Sequence, residues 1–461
     1  MKQLAVWLAA AAQRTPQATA LRMAGESLSY AALAELVVAQ GRSLPDVAGP
    51  LAQSSTSSRQ LALAAYAAAW RGRPFFPLNP GLLPARRAAL LAQCGALDVD
   101  QGALDDPPGS VEPPQSRRGR ASHIEHSPVD LLIATSGSSG EPKCVMLSSA
   151  NLAAAVAASQ HCLPLRQDDV WLDCLPLYHV GGMMILHRCA AAGATVLLHQ
   201  GFDVERVWTD IRTAQVSHVS LTPPMLARLL DIAHGAAPPS ALQYVLVGGA
   251  AVAPELARRA RECGWPLCRS YGMSETAALF AAACDVGQGV MPLPGFEVRS
   301  VGTEGEPDVI AVRGAALMLG YANPTLAPGD GLQDGWFITS DLGYRDDAGR
   351  LHVTGRRDDM LVSGGANVHP AEIEALLLTF PGVRDAAVTA LSDPIWGDRL
   401  VALLVGEVDM AELDAWSRAR LAGATHPRLW RRVAELPRNT LGKLQRKELR
   451  TMVEELFKHD A

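Results

Sequence analysis

No cysteine occurs after Cys284, and none of the eight stands in a CxxC pair. That removes the usual zinc-ribbon and dithiol-redox signatures. The irregular spacing of Cys94, Cys144, Cys162, Cys174, Cys189, Cys263, Cys268 and Cys284 reads as free thiols in a reducing cytosol. A basic stripe is missing as well: the net charge is -6, and Lys and Arg are scattered apart from short clusters such as Arg117, Arg118 and Arg120, which argues against nucleic acid as a partner. Nowhere does an apolar run reach the roughly 18 residues of a membrane span. The opening MKQLAVWLAAAAQ has one lysine before its apolar run, weak for a secretory leader, and reads as a helix packed on the first domain. These absences point to a soluble, cytoplasmic protein. What is there is globular: 48% hydrophobic and 19% charged residues over 461 positions, enough for two or three domains.

Along the chain, LSYAALAELVVAQG reads as a short strand and then a helix with Leu33, Leu36 and Val37 on one face. A second helix is expected over 59–71. Residues 98–128 carry Pro, Gly, Ser and charge without periodicity and read as a surface connection or interdomain linker. Short apolar runs then alternate with helical patterns as far as PLCRSYG, which implies parallel strands joined by crossover helices, with ligands at the strands' carboxyl ends. From about 290 to 356 the pattern changes to β segments with Gly turns. Alternation resumes afterwards. The expected fold is therefore α/β: a large N-terminal domain of doubly wound sheets (1–356) with a small β subdomain (about 290–356), followed by a small mobile α+β lid domain (357–461).

One segment carries chemistry on its own. LLIATSGSSGEPKCV sets an apolar strand before a loop rich in Gly and hydroxyls, from Thr135 through Ser136, Gly137, Ser138, Ser139 and Gly140 to Lys143. Glycines let backbone N–H groups approach phosphate oxygens, hydroxyls add donors, and the lysine supplies charge, so the loop suits a triphosphate. It is not the GxxxxGK[ST] pattern.

TSGSSGEPK resembles the signature of the adenylate-forming (AMP-binding) superfamily of acyl-CoA synthetases, peptide-synthetase adenylation domains and luciferases, with Ser139 in place of Thr and Cys144 in place of Gly. SYGMSETA resembles its YGxTE motif. By that resemblance Tyr271 stacks on adenine beside Gly272, Ser274 binds the α-phosphate, and Glu275 helps to hold Mg²⁺. WFITSDLGY resembles the TGD motif, which makes Asp341 the acceptor for the ribose hydroxyls and Arg356 a second ribose contact. The family hinge falls on Asp358. Ser363, Gly364 and Gly365 in LVSGGANVHPAEIE then shape a tunnel for the CoA thiol. LPRNTLGKLQRKEL resembles the terminal motif and makes Lys443 the catalytic lysine. LPLYHVGGMM and LVGGAAVAPEL resemble the walls of the acyl pocket, with His179 as the gate towards the tunnel and Gly249, in the Gly-rich wall, among the ATP/AMP-binding residues; Met183, Met184 and Ile185 line that pocket or belong to the core.

The resemblance covers nearly the whole chain and implies a two-step ligase using ATP, Mg²⁺ and coenzyme A, with an acyl-AMP intermediate. Within the family, the acyl-pocket stretches look most like the o-succinylbenzoate-CoA ligase branch of menaquinone biosynthesis. The alternatives are another aryl- or medium-chain acyl-CoA ligase, an acyl-AMP ligase serving a carrier protein, or a catalytically silent nucleotide-binding homologue. A homodimer is carried as a candidate assembly.

Overall fold

The computed structural model describes residues 1–46, 49–99, 128–136, 142–284, 289–300, 302–303, 306–323, 325–393, 396–421, 423–440 and 442–458. Almost all of the connection expected over 98–128 lies outside them.

Apolar runs bounded by turn residues become strands, and the amphipathic stretches between them become crossover helices. The largest sheet has nine strands in the order Met291–Pro292, Ala281–Ala283, Leu267–Tyr271, Tyr244–Val247, His218–Leu221, Val170–Asp173, Thr195–Leu198, Thr19–Met23 and Glu26–Ser29. Its six inner strands are parallel, as the alternation implied. The flanking strands are antiparallel, because short turns return them directly without a crossover. A second sheet, of six strands, runs Gly320–Tyr321, Pro142–Ser148, Val129–Ser136, Phe75–Leu78, Leu51–Ser54 and Leu97–Asp98. Helices Gln3–Arg14, Ser58–Trp70 and Val180–Ala192 pack among these sheets in one core that includes Leu8, Tyr66 and Met184.

The β segments after Phe296 form a four-stranded antiparallel sheet of Phe296–Arg299, Asp308–Gly314, Phe337–Arg345 and Leu351–Arg356. Beyond it, strands Leu361–Ser363, Ala366–Val368, Val383–Asp393, Gly397–Gly406 and Leu429–Arg432 make the lid sheet, flanked by helices Pro370–Leu377, Met410–Arg418 and Arg446–Leu456. Among the described residues, every buried core cluster lies wholly before Asp358 or wholly after it. The chain therefore folds as a large N-terminal and a small C-terminal body with separate hydrophobic interiors.

One expectation fails here. Cys268 and Cys284 form a disulfide, while Cys94, Cys144, Cys162, Cys174, Cys189 and Cys263 remain free. The pairing arises because the Leu267–Tyr271 and Ala281–Ala283 strands run antiparallel, with Arg269 opposite Ala283, which puts the next residue outward on each strand face to face. The sequence interval alone did not reveal that return.

Candidate active site

Two paired strands flank the phosphate-loop motif. Strands Val129–Ser136 and Pro142–Ser148 are antiparallel, with Thr135 opposite Lys143 and its hydroxyl donating to the Lys143 carbonyl at 3.4 Å. Gly137, Ser138, Ser139 and Gly140 lie outside the described residues. Lys143 is exposed, and its Nζ stands 4.7 Å from the centroid of the Tyr321 ring.

From the other side comes the turn after strand Leu267–Tyr271. Gly272 is required there: a Cβ would sit 1.7 Å from the Ala278 carbonyl oxygen. A short 3₁₀ turn, Ser274–Thr276, follows, in which the Met273 N–H donates to Thr276 Oγ1 at 3.1 Å. Ala277 and Ala278 then take positive φ of 50° and 95°, an uncommon conformation for non-glycine residues, held where the chain reverses. This turn presents Ser274 and Glu275. Tyr321 donates its hydroxyl proton to Glu275 Oε1 at 2.9 Å. Burial, with the Glu275 charge adding, pushes the Tyr321 phenol well up, so it remains a donor.

Next to this pair sits the strand Phe337–Arg345. Tyr271 donates to Asp341 Oδ2 at 2.6 Å, and Arg356, opposite Asp341 in the strand register, brings its Nε to 3.5 Å from Oδ1. Arg356 also reaches Asp358, at 4.0 Å.

Lys443 enters from the lid. Asn439 Oδ1 accepts from the Lys443 N–H at 3.0 Å, and Gly442, at φ +73°, packs so tightly that a Cβ would lie 2.9 Å from Pro224 of the large domain. Gly249 adopts φ +83°, and a Cβ on it would stand 3.7 Å from Lys443 Cε. Although exposed to the cleft by area, Lys443 is walled in closely enough that loss of water lowers its pKa, with Arg356 lowering it further and Asp341 and Glu275 pulling the other way. His179 caps the Val180–Ala192 helix, with its Nε2 3.4 Å from Thr440 Oγ1 of the lid. Burial first, then the Lys443 charge, draws the imidazole down to about 4, so the ring is neutral near pH 7.

The structure thus brings together Lys143, Gly249, Tyr271, Gly272, Ser274, Glu275, Asp341, Arg356, Lys443 and His179. Ser363, Gly364 and Gly365 stand apart from them. They form the turn of the hairpin Leu361–Ser363 and Ala366–Val368, where the Gly364 N–H donates to the Trp396 carbonyl at 2.8 Å and a Cβ on Gly364 would meet the Trp396 ring at 3.0 Å. Met183, Met184 and Ile185 are fully buried core residues. No cluster of three or more His, Cys, Asp or Glu suited to a metal occurs among the described residues. Glu275, held by Tyr321, offers a carboxylate that fits an ion such as Mg²⁺, which takes one or two protein carboxylates and completes its shell with water and phosphate, while Asp341 is engaged by Tyr271 and Arg356.

Sequence reasoning missed two residues. Tyr321 gave no signal beyond a Gly-Tyr pair. Arg188 did give one, as the lone cation in the apolar helix MMILHRCAAA. It is 3% exposed, its guanidinium lies 5.5 Å from the Trp171 ring centroid, and its Nε and one terminal nitrogen lack hydrogen-bond partners among the described residues. Burial lowers its pKa to about 10, so it stays a cation. A buried cation left without an anion is costly, and the cost falls when a ligand anion completes the site.

Comparison with known proteins gives the family. The AMP-binding enzyme family matches residues 8–322, and the AMP-binding enzyme C-terminal domain matches 372–443. The 2-succinylbenzoate--CoA ligase of Bacillus licheniformis is 38% identical over 331 residues, 69% of each chain. That of Bacillus mycoides is 32% identical over 487 aligned positions, covering 99% of this chain and all of the relative. Among solved structures, o-succinylbenzoate CoA synthetase of Bacillus subtilis with its acyl-adenylate intermediate superposes with a TM-score of 0.84 at 29% identity, covering 97% of this chain and 98% of that one. Its complex with ATP and magnesium gives 0.83 at 28% identity, with 98% and 99% covered. A double mutant of the same enzyme bound to a product analogue gives only 0.69 at 28% identity, with 98% of each covered.

Proposed function

The chain belongs to the AMP-binding enzyme family, and from that premise we propose that it is an ATP-dependent acid–CoA ligase whose acid is 2-succinylbenzoate. The observation that carries the reading is the approach of Lys443, from one body, to Gly249 of the other, and of Thr440 to His179.

In the first step a carboxylate oxygen of the acid attacks the α-phosphorus, the bond to pyrophosphate breaks, and acyl-AMP forms. Lys443 supplies positive charge where the attacking carboxylate and the α-phosphate oxygens crowd together. Asp341 and Arg356 hold the ribose, Ser274 binds the α-phosphate, and Lys143 holds the departing pyrophosphate together with the loop from Thr135 to Gly140. Mg²⁺, when bound, neutralises phosphate charge. In the second step the thiolate sulfur of CoA attacks the acyl carbon and AMP leaves with its bonding electrons. The lid, residues 357–461, turns about Asp358 between the steps and brings Ser363, Gly364 and Gly365 to the thiol path, while His179 gates it. The separate cores of the two bodies support a rigid rotation.

Arg188 supports the choice of acid. It is a buried cation on the helix that begins after His179, and its Nε and one terminal nitrogen lack hydrogen-bond partners among the described residues, so that a second carboxylate on the acid would complete its site. The deciding assay is thioester formation with CoA across an acid panel. 2-Succinylbenzoate should be converted with the highest kcat/KM; conversion of a fatty or aryl monoacid in its place overturns the substrate, and no ATP–pyrophosphate exchange with any acid overturns the enzyme.

A further inference from the structure

Tyr321 belongs to none of the recognised site motifs, yet it touches two of them. Its ring lies under the Lys143 ammonium and its hydroxyl donates to Glu275. The backbone fixes the side chain firmly. Strand Gly320–Tyr321 pairs with Pro142–Ser148, placing Tyr321 opposite Val145, and the Leu319 and Ala322 N–H groups donate to the carbonyls of Met146 and Cys144 at 2.9 and 2.7 Å. The Tyr321 N–H donates to the Asp330 carbonyl at 2.9 Å. Gly331 lies flat against the ring: a Cβ there would come within 2.5 Å of it. Glu275 is gripped by the same segment, its carbonyl accepting from the Met318 N–H at 2.8 Å. The short segment 318–322 is therefore a strut between the phosphate hairpin and the Ser274–Thr276 turn.

We propose that Tyr321 is a positioning residue that sets the spacing between the Lys143 ammonium and the Glu275 carboxylate, so that the phosphate tail of ATP and its divalent cation are gripped from opposite sides at a fixed distance. The proposal rests on the metal role assigned to Glu275 above. The hydroxyl orients the carboxylate and leaves Oε2 for the ion. The ring separately holds the ammonium through the attraction of a cation to its face. A carboxylate ligand that loses its outer hydrogen bond typically costs 10–100-fold in metal affinity.

The two functions separate in two variants, read by calorimetric titration of ATP at a series of Mg²⁺ concentrations. Y321F keeps the ring and loses the hydroxyl: the Mg²⁺ concentration for half-maximal enhancement of ATP binding should rise about 10-fold, with ATP affinity in the absence of Mg²⁺ unchanged. Y321L loses both, and ATP affinity without Mg²⁺ should fall as well. A parental Mg²⁺ dependence in Y321F overturns the proposal. E275Q separates it from its premise. If E275Q also leaves the Mg²⁺ dependence at the parental value, Glu275 is not the metal ligand and the premise has failed; if E275Q shifts it and Y321F does not, only the role of Tyr321 falls. Thermal melting of both Tyr321 variants distinguishes these shifts from a loosened strut, which would weaken ATP binding equally with and without Mg²⁺ and would also overturn the proposal.

Discussion

Tyr271 and Asp341, 70 residues apart, share a 2.6 Å hydrogen bond that ties the last parallel strand of the large sheet to the β subdomain. It fixes the carboxylate whose other oxygen faces Arg356. Asp341→Asn keeps the shape and halves the acceptor character, so a charged hydrogen bond to ribose becomes a neutral one. ATP affinity should fall about 10-fold, the 1–2 kcal/mol difference between the two bond types. Tyr271→Phe frees Oδ2 and should raise KM for ATP more than it lowers kcat. Steady-state kinetics with ATP varied tests both, and a Tyr271→Phe effect confined to kcat refutes the assignment.

Gly272 predicts a stability effect. Any side chain there collides with the Ala278 carbonyl, and backbone cannot give way as a flexible side chain can. Gly272→Ala should cost about 3 kcal/mol or more and displace Ser274 and Glu275 with it. Gly25 has a positive φ but open space around it. Gly25→Ala should therefore cost only about 1 kcal/mol of backbone strain. Denaturant melts that rank the two alike would contradict this.

Much of this was readable in the sequence because local pattern and fold agree. YVLVGG and HVSL are apolar runs bounded by turn residues, and each is a parallel strand at its expected place. The lid was legible for the same reason, its helices starting at Pro370 and Arg446. Nonlocal pairings were not. Nothing near Tyr321 says that its two-residue strand adds to the edge of the phosphate hairpin, since such a strand has no period. The disulfide was missed because an antiparallel return, set by tertiary packing, decides which cysteines meet.

The cross-link between Cys268 and Cys284 makes its own prediction. It closes a loop of 16 residues containing Tyr271, Ser274 and Glu275, and for such a loop the chain-entropy account gives about 3 kcal/mol. Non-reducing peptide mapping of the oxidised protein should recover the linked pair. Reduction should lower Tm, and Cys268→Ser with Cys284→Ser should show no further drop on reduction. A Tm of the parent that does not respond to reductant removes the bond from the account.

Arg188 tests the acid. Met at this position keeps an unbranched apolar body and deletes the cation, so it also removes the orphaned buried donors. Arg188→Met should therefore stabilise the ligand-free fold slightly while lowering kcat/KM for 2-succinylbenzoate about 100-fold, the 2–3 kcal/mol of a buried charged hydrogen bond. For the analogue lacking the ring carboxylate, kcat/KM should change little. Equal losses for both acids would mean that Arg188 shapes the pocket without reading the second carboxylate.

Lys443 gives a pH dependence whose sign follows from its surroundings. The working form is the cation, and confinement in the cleft together with Arg356 lowers its pKa from the ordinary 10.5, against the opposing pull of Asp341 and Glu275. A lowered pKa means that the proton is lost earlier as pH rises. ATP–pyrophosphate exchange should accordingly fall along an alkaline limb centred below 10.5. Lys443→Arg should retain part of the activity and abolish that limb, because a guanidinium stays protonated to beyond about pH 12. In the proposed scheme this lysine serves adenylation alone, so thioester formation from supplied acyl-AMP should lack the limb in the parent enzyme. A limb that persists in Lys443→Arg belongs to another group, and one shared by both half-reactions would remove Lys443 from the adenylation step.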